Sequence, residues 1–186
     1  YDEELGCLGA PRLVEQLRAV PVRPRACIIG EPTSMKPVVG HKGKTATRCR
    51  VHGHESHSAM THAGANAVEA AAQIVAHLKS LARRYRDHGS RDDTFVPPYT
   101  TIHTGTIAGG TAINIVPREC VFDFEIRHLP HDDPASILAE IKRFAESEIL
   151  PEMWAVAATT GIGWEQLSSY PALDTDPNAA IATLVR

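Results

Sequence analysis

Glu119-Cys120-Val121-Phe122-Asp123-Phe124-Glu125-Ile126-Arg127 is the stretch on which the fold turns. Phe122, Phe124 and Ile126 alternate with Asp123, Glu125 and Arg127, so an extended chain here has one apolar side and one charged side. Such a strand belongs half-buried in an antiparallel sheet, with something apolar laid over one face. Working outward, residues 99–107 read as a neighbouring strand, and residues 38–51 alternate in the same way, with Thr47, Cys49 and Val51 on one face and Arg48 and Arg50 on the other. Residues 66–84 place Val68, Ala71, Ala72, Val75, Leu78 and Ala82 on one stripe, which predicts a long amphipathic helix. Downstream, Asp132-Asp133-Pro134 announces a second helix whose stripe is Ile137, Leu138, Ile141, Phe144 and Ala145, and residues 153–160 read as a closing strand. The order β-α-β-β-α-β predicts an α+β sandwich with both helices on one face of the sheet.

The flanks follow a different pattern. Leu13, Val14 and Leu17 recur at helical spacing after Pro11, which predicts a short helix over residues 11–18. Residues 26–30 are a continuous apolar run, the pattern of a strand buried on both faces in a parallel sheet. We therefore expect residues 1–36 and 165–186 to be pieces of a second, α/β domain into which a sandwich over residues 37–164 is inserted. The chain opens at Tyr1 without an initiating Met and stops at Arg186 soon after the helix start Asp176-Pro177-Asn178, which leads us to expect a piece of a longer protein. No repeat or low-complexity stretch interrupts it, and residues 86–93, rich in charge and with one Gly, are expected to be mobile.

Composition narrows the class. The 186 residues carry 19 Lys+Arg against 22 Asp+Glu, a formal charge of −3, without the basic excess that nucleic-acid phosphates demand. At 43% hydrophobic and 22% charged, the chain can build a core and resembles neither a disordered segment nor a coiled coil. No apolar run approaches the roughly 18 residues needed to cross a bilayer. Cys7, Cys27, Cys49 and Cys120 form no C-x-x-C pair and read as buried small hydrophobes of a reducing, cytoplasmic compartment.

Three places could carry chemistry. Glu3-Glu4, with Glu31 as a third carboxylate, suit a hydrolytic site in which one carboxylate holds a metal and its neighbour takes a proton from water. Taken alone, Glu3 and Glu4 are better explained as an acidic surface, whereas Glu31 is more informative, since Pro32 fixes it where α/β sheets place ligands, with a turn or helix cap as its rival. His52, His54, His57 and His62 fall between a strand and a long helix; none of them forms an i, i+4 pair on a firm helix, so one imidazole offered to an oxyanion suits them better than a metal cluster. Gly109-Gly110-Thr111-Ala112-Ile113-Asn114 is either a hairpin turn or, with Arg127 offering a fork to a carboxylate, a substrate-binding surface.

Taken together, Tyr1-Asp2-Glu3-Glu4 with Gly6-Cys7, Gly30-Glu31-Pro32-Thr33-Ser34, Gly40-His41-Lys42-Gly43, Gly53-His54-Glu55-Ser56-His57-Ser58 and Ala112-Ile113-Asn114-Ile115-Val116-Pro117 resemble the co-catalytic zinc amidohydrolases. That group includes aminoacylases, succinyl-diaminopimelate desuccinylases, glutamate carboxypeptidases and the acetylornithine deacetylases, whose pattern is nearest. The resemblance implies an α/β zinc-hydrolase domain carrying the sandwich as a lid that forms a homodimer, through the helix beginning near Asn66 or the sheet edge beside it. It implies hydrolysis of N-acyl amino acids, N-acetylornithine foremost, in arginine biosynthesis, with two zinc ions, or cobalt, as cofactor. Glu3 then matches the general base, Glu4 and Glu31 match metal ligands, His57 matches the lid histidine that reaches the partner subunit's active site, and Asn114 and Arg127 match substrate contacts. The remaining ligands of that family are not matched within residues 1–186, so the chain by itself is expected to be inactive. An aminoacylase, dipeptidase or carboxypeptidase of the same group, and a non-catalytic dimerisation and binding module, are the alternatives.

Overall fold

A computed structural model of the chain describes residues 7–186. In chain order these form α1 (Ala10–Arg18), β1 (Gly40–His41), β2 (Gly43–His52), a 3-10 turn (Ser58–Ala63), α2 (Ala67–His88), β3 (Thr101–Gly109), β4 (Glu119–His128), α3 (Pro134–Phe144), a π-helical turn (Ala145–Ile149), α4 (Leu150–Val156), β5 (Gly161–Tyr170), β6 (Leu173–Asp174) and α5 (Ala180–Leu184). They divide into two compact units, one of Lys42–Ala172 and one holding the residues up to His41 with Leu173–Arg186.

The Lys42–Ala172 unit is the β-α-β-β-α-β sandwich. Its four strands are antiparallel in the order β3-β4-β2-β5. Register follows the alternation: Cys49 lies opposite Phe122, Thr47 opposite Phe124 and Thr45 opposite Ile126, so one face of β2 and β4 is buried throughout, apolar but for the two threonines. A one-residue slip would turn all of these to water. Phe122, Phe124 and Ile126 join Ala71, Ile74 and Leu78 of α2 and Ile137 and Ile141 of α3 in a single core. Asn66 and Asp133 start the two helices, each side chain accepting two backbone N–H groups that would otherwise be unpaired, Asn66 through Oδ1 alone and Asp133 through one carboxyl oxygen for each. The opposite face of the sheet is laced by ion pairs, Arg48 to Asp123 through two contacts of 2.8 Å and Arg50 to Glu165 at 3.1 Å. The Arg48 hydrogen bonds hold the Asp123 carboxyl below its ordinary range. In the other unit β1 pairs with β6, Gly40 opposite Asp174.

Five local expectations need correction. Residues 153–160 are not a strand: α4 runs through Leu150–Val156, with Pro151 in its first turn and Ile149 and Met153 buried at i, i+4. Pro151 presets a helical φ and the Glu, Met and Ala that follow are helix formers, so the local preference defeats the apolar run. Residues 26–30 are also not a strand; Ile28 and Ile29 are 67% and 72% exposed, and among the described residues no strand pairs with them. An apolar run becomes a buried strand only where neighbours satisfy its backbone and cover both faces. The buried stripe of α2 is Ala67, Ala70, Ala71, Ile74, Leu78 and Leu81, with Val68, Val75 and Ala82 on its flank, Ala72 is exposed, and the helix runs on through His88 into the segment expected to be mobile. Cys49 and Cys120 are buried, whereas Cys7 and Cys27 are exposed. Burial pushes the Cys49 thiol up to about 12, which leaves it an inert core group. Among the described residues no helix is long and apolar enough to cross a membrane.

Candidate functional site

Two loops at one end of the sheet are fastened together by backbone hydrogen bonds. The connection from β2 to α2 meets the connection from β3 to β4 where Gly53 N donates to Arg118 O (2.7 Å), Val116 N to Ser56 O (2.7 Å), Ser58 N to Asn114 O (2.9 Å) and Ala67 N to Pro117 O (2.9 Å). Within the first loop, His54 and Ala65 exchange a pair of 2.9 Å bonds. So close an approach requires glycine: a Cβ at Gly53 would lie 2.1 Å from Ala65 O, and one at Gly64 would lie 2.8 Å from Val116 Cγ1. Gly53→Ala is therefore expected to cost about 1–3 kcal/mol, the usual penalty of overpacking. Thermal denaturation should show the loss, with faster hydrogen exchange at His54 and Ala65. Gly161→Ala, where an added Cβ meets nothing within 4 Å, should leave the melting temperature where it is.

This framework carries His57. The residue caps the 3-10 turn in extended conformation (φ −69°, ψ 141°), and its Nδ1 accepts the Ala59 backbone N–H at 3.1 Å. Met60 N donates to His57 O (2.7 Å) and Ser56 Oγ donates to Met60 O (3.1 Å), so the turn is closed on both sides of the ring. Only a lone pair can accept an amide N–H, so the neutral imidazole must carry its hydrogen on Nε2. The exposed ring is thus a hydrogen-bond donor at Nε2 on a turn whose backbone is fixed. The other three histidines have different surroundings. His52 Nδ1 stands 3.9 Å from Glu119, His54 is held by its backbone bridge to Ala65, and His62 lies in the last turn of the 3-10 segment.

Of the remaining candidates, Asn114 shares the clip with His57, and the adjoining Ile113 side chain is fully exposed. Arg127 is eight residues along β4 from the start of that strand, roughly 26 Å at about 3.3 Å per residue. Its fork is taken up by Glu125 (3.0 and 3.4 Å) and by the Tyr170 hydroxyl (2.8 Å). Burial pushes the Glu125 carboxyl up, but the hydrogen bonds and charge of Arg127, with Lys44, outweigh it and hold Glu125 below its ordinary value. Glu31 is exposed in the other unit, in a tight turn where its N donates to Ile29 O (3.0 Å) and its O accepts from Thr33 N (2.8 Å). Glu3 and Glu4 lie outside the described residues. Among the described residues no three His, Cys, Asp or Glu side chains gather as a metal site. Among the described residues one exposed carboxylate does not fit a zinc centre, which needs about four ligands, and what these residues offer to chemistry is the imidazole of His57 and the amide of Asn114.

Sequence reasoning did not find the reason for Gly43, which the register sets opposite His128: a Cβ there would meet the buried His128 ring at 2.0 Å. Nor did it find the role of Lys42, whose Nζ donates to Tyr99 O at 2.5 Å. The glycine itself was the only available signal.

The chain has clear relatives. The peptidase dimerisation domain family matches residues 39–153. The chain is 39% identical over 136 residues to the acetylornithine deacetylase of Myxococcus xanthus, an overlap of 73% of this chain and 35% of that protein. With the acetylornithine deacetylase of Pasteurella multocida (strain Pm70) it shares 32% over 155 residues, 82% of this chain and 38% of the other. Among solved structures, the aminopeptidase PepT of Bacillus cereus ATCC 10987 superposes with a TM-score of 0.56 at 19% identity, covering 79% of this chain and 35% of that one, a likeness of fold. The chain spans little more than a third of the length of the curated relatives it matches.

Proposed function

The chain belongs to the peptidase dimerisation domain family, and from that membership we propose that it is part of a metal-dependent amidohydrolase that deacylates N-acyl amino acids, N-acetylornithine foremost, in arginine biosynthesis. The Lys42–Ala172 unit serves as the lid through which two copies pair. The observation that carries this reading is the fixed tautomer of His57, whose Nε2–H belongs to an exposed ring on a braced turn beside Asn114. In amide hydrolysis the water oxygen adds to the carbonyl carbon, the carbonyl oxygen becomes an oxyanion, and the C–N bond then breaks as the amine takes up a proton. An Nε2–H donor fixed in advance stabilises that oxyanion at no reorganisation cost. Glu3 is assigned the base that removes the water's proton and passes it to the leaving amine, and Asn114 a contact to the substrate. Zinc, with Glu4 and Glu31 among its ligands, is the cofactor that the sequence's resemblance to the zinc amidohydrolases implies, and the described residues do not by themselves complete such a site. Arg127 reaches a substrate carboxylate by exchanging it for Glu125, which holds its fork in the structure.

A substrate panel on the full-length protein tests this reading. N-acetylornithine should be turned over with kcat/KM at least about tenfold above N-acetyl derivatives of apolar amino acids and above dipeptides, a margin that a few pocket contacts supply. A dipeptide that outperforms every N-acyl amino acid would move the assignment to a peptidase.

A further inference from the structure

Behind the His57 turn lies a cleft of about 240 Å³ between α2 and the chain leading through α4. Its two walls are built alike. α2 presents Asn66, Glu69, Ala70 and Gln73, and the facing wall presents Ile149, Glu152, Met153 and Val156, in both cases at i, i+3, i+4 and i+7, the spacing of one helix face. Ala65, Ala70, Val116, Ile149 and Met153 are buried and make the interior apolar. Each wall carries one carboxylate, Glu69 or Glu152, at the exposed mouth. No Lys, Arg or His lines the cleft, and among the described residues neither carboxylate has an ion-pair partner.

We propose that this cleft binds a small alkyl cation, an alkylammonium or alkylguanidinium whose hydrocarbon chain lies on the apolar floor and whose charged head sits between Glu69 and Glu152. The volume holds roughly eight non-hydrogen atoms at about 30 Å³ each, a free molecule of the size of n-butylguanidinium. An anion would meet two like charges, and a neutral hydrocarbon would gain nothing from the two exposed carboxylates. Thr61 and Gly64, whose backbones close the turn that begins at His57, form one end of the cleft, so an occupant touches the segment that positions the imidazole. Binding is independent of the deacylase reading and is measured without turnover.

The test is a titration of the 186-residue chain with n-butylguanidinium chloride, followed by amide and methyl chemical shifts. Saturable shifts are expected at Ala70, Val116 and Met153, with Kd on the order of 1 mM. The neutral isostere n-butylurea should bind at least about fivefold more weakly. Glu69→Gln and Glu152→Gln should each weaken binding roughly two- to fivefold, the double variant more than either, with melting temperatures unchanged. Equal affinity for the neutral isostere, unchanged affinity in the double variant, or the absence of saturable shifts would overturn the proposal. So would a lysine-bearing tripeptide that bound about tenfold tighter than the free cation, since the cleft would then be a protein-docking surface.

Discussion

On the proposed deacylase function, His57→Ala in the full-length protein is expected to lower kcat by about 10²–10³, the cost of removing one donor to an oxyanion, while leaving metal content and dimerisation intact. The expectation rests on three features of the turn. Ala59 N–H fixes the tautomer, Ser56 and Met60 hold the backbone, and Gly53 and Gly64 permit the close loop contact that keeps the whole in place. His62→Ala, which removes an exposed imidazole from the end of the same turn, should be nearly silent. A second arm decides which subunit the imidazole serves. Mixing His57→Ala subunits with Glu3→Gln subunits and allowing exchange makes half the dimers mixed, and each mixed dimer has one site with both a sound base and a sound histidine. Activity should recover to about a quarter of that of the unmodified enzyme if the histidine acts across the dimer. No recovery after demonstrated exchange would confine His57 to its own subunit.

The largest expected loss of stability is at Phe122→Ala, about 3–5 kcal/mol. Phe122 is wholly buried in β4, between Cys49 on β2 and Ile107 on β3, with its ring 6.1 Å from that of Phe124. Deleting the ring opens a cavity beneath α2 where the rigid strand pairing on both sides prevents collapse. Against a typical total of about 5–15 kcal/mol the change is severe, and at about 2–4 °C per kcal/mol the melting temperature should fall by roughly 6–20 °C. Ile113→Ala, which truncates a fully exposed side chain on the loop beside His57, should move it by no more than about 0.5 kcal/mol. A loss below about 1 kcal/mol at Phe122 would mean that the core is not centred on β4.

The sequence by itself determined the sandwich, because its signals are local. Alternation in residues 119–127 follows from the two-residue repeat of an extended backbone, and the stripe over residues 66–84 follows from the helical repeat. Asn66 and Asp133 mark helix starts through bonds to their own next residues, and these hold in the structure. Where local signals conflict, the sequence misleads: residues 26–30 lack the neighbours that would make them a strand, and residues 150–156 become helix because Pro151 and its followers prefer it. Only the tertiary structure decided the strand order β3-β4-β2-β5 and the joining of His57 to Ile115 across more than fifty residues. It alone showed that the guanidinium of Arg127 is already held by Glu125 and Tyr170, and that Gly43 leaves room for the ring of His128. Backbone geometry writes its period into the residue pattern, whereas the partner that a donor, a charge or a missing Cβ meets is fixed only when distant segments come together.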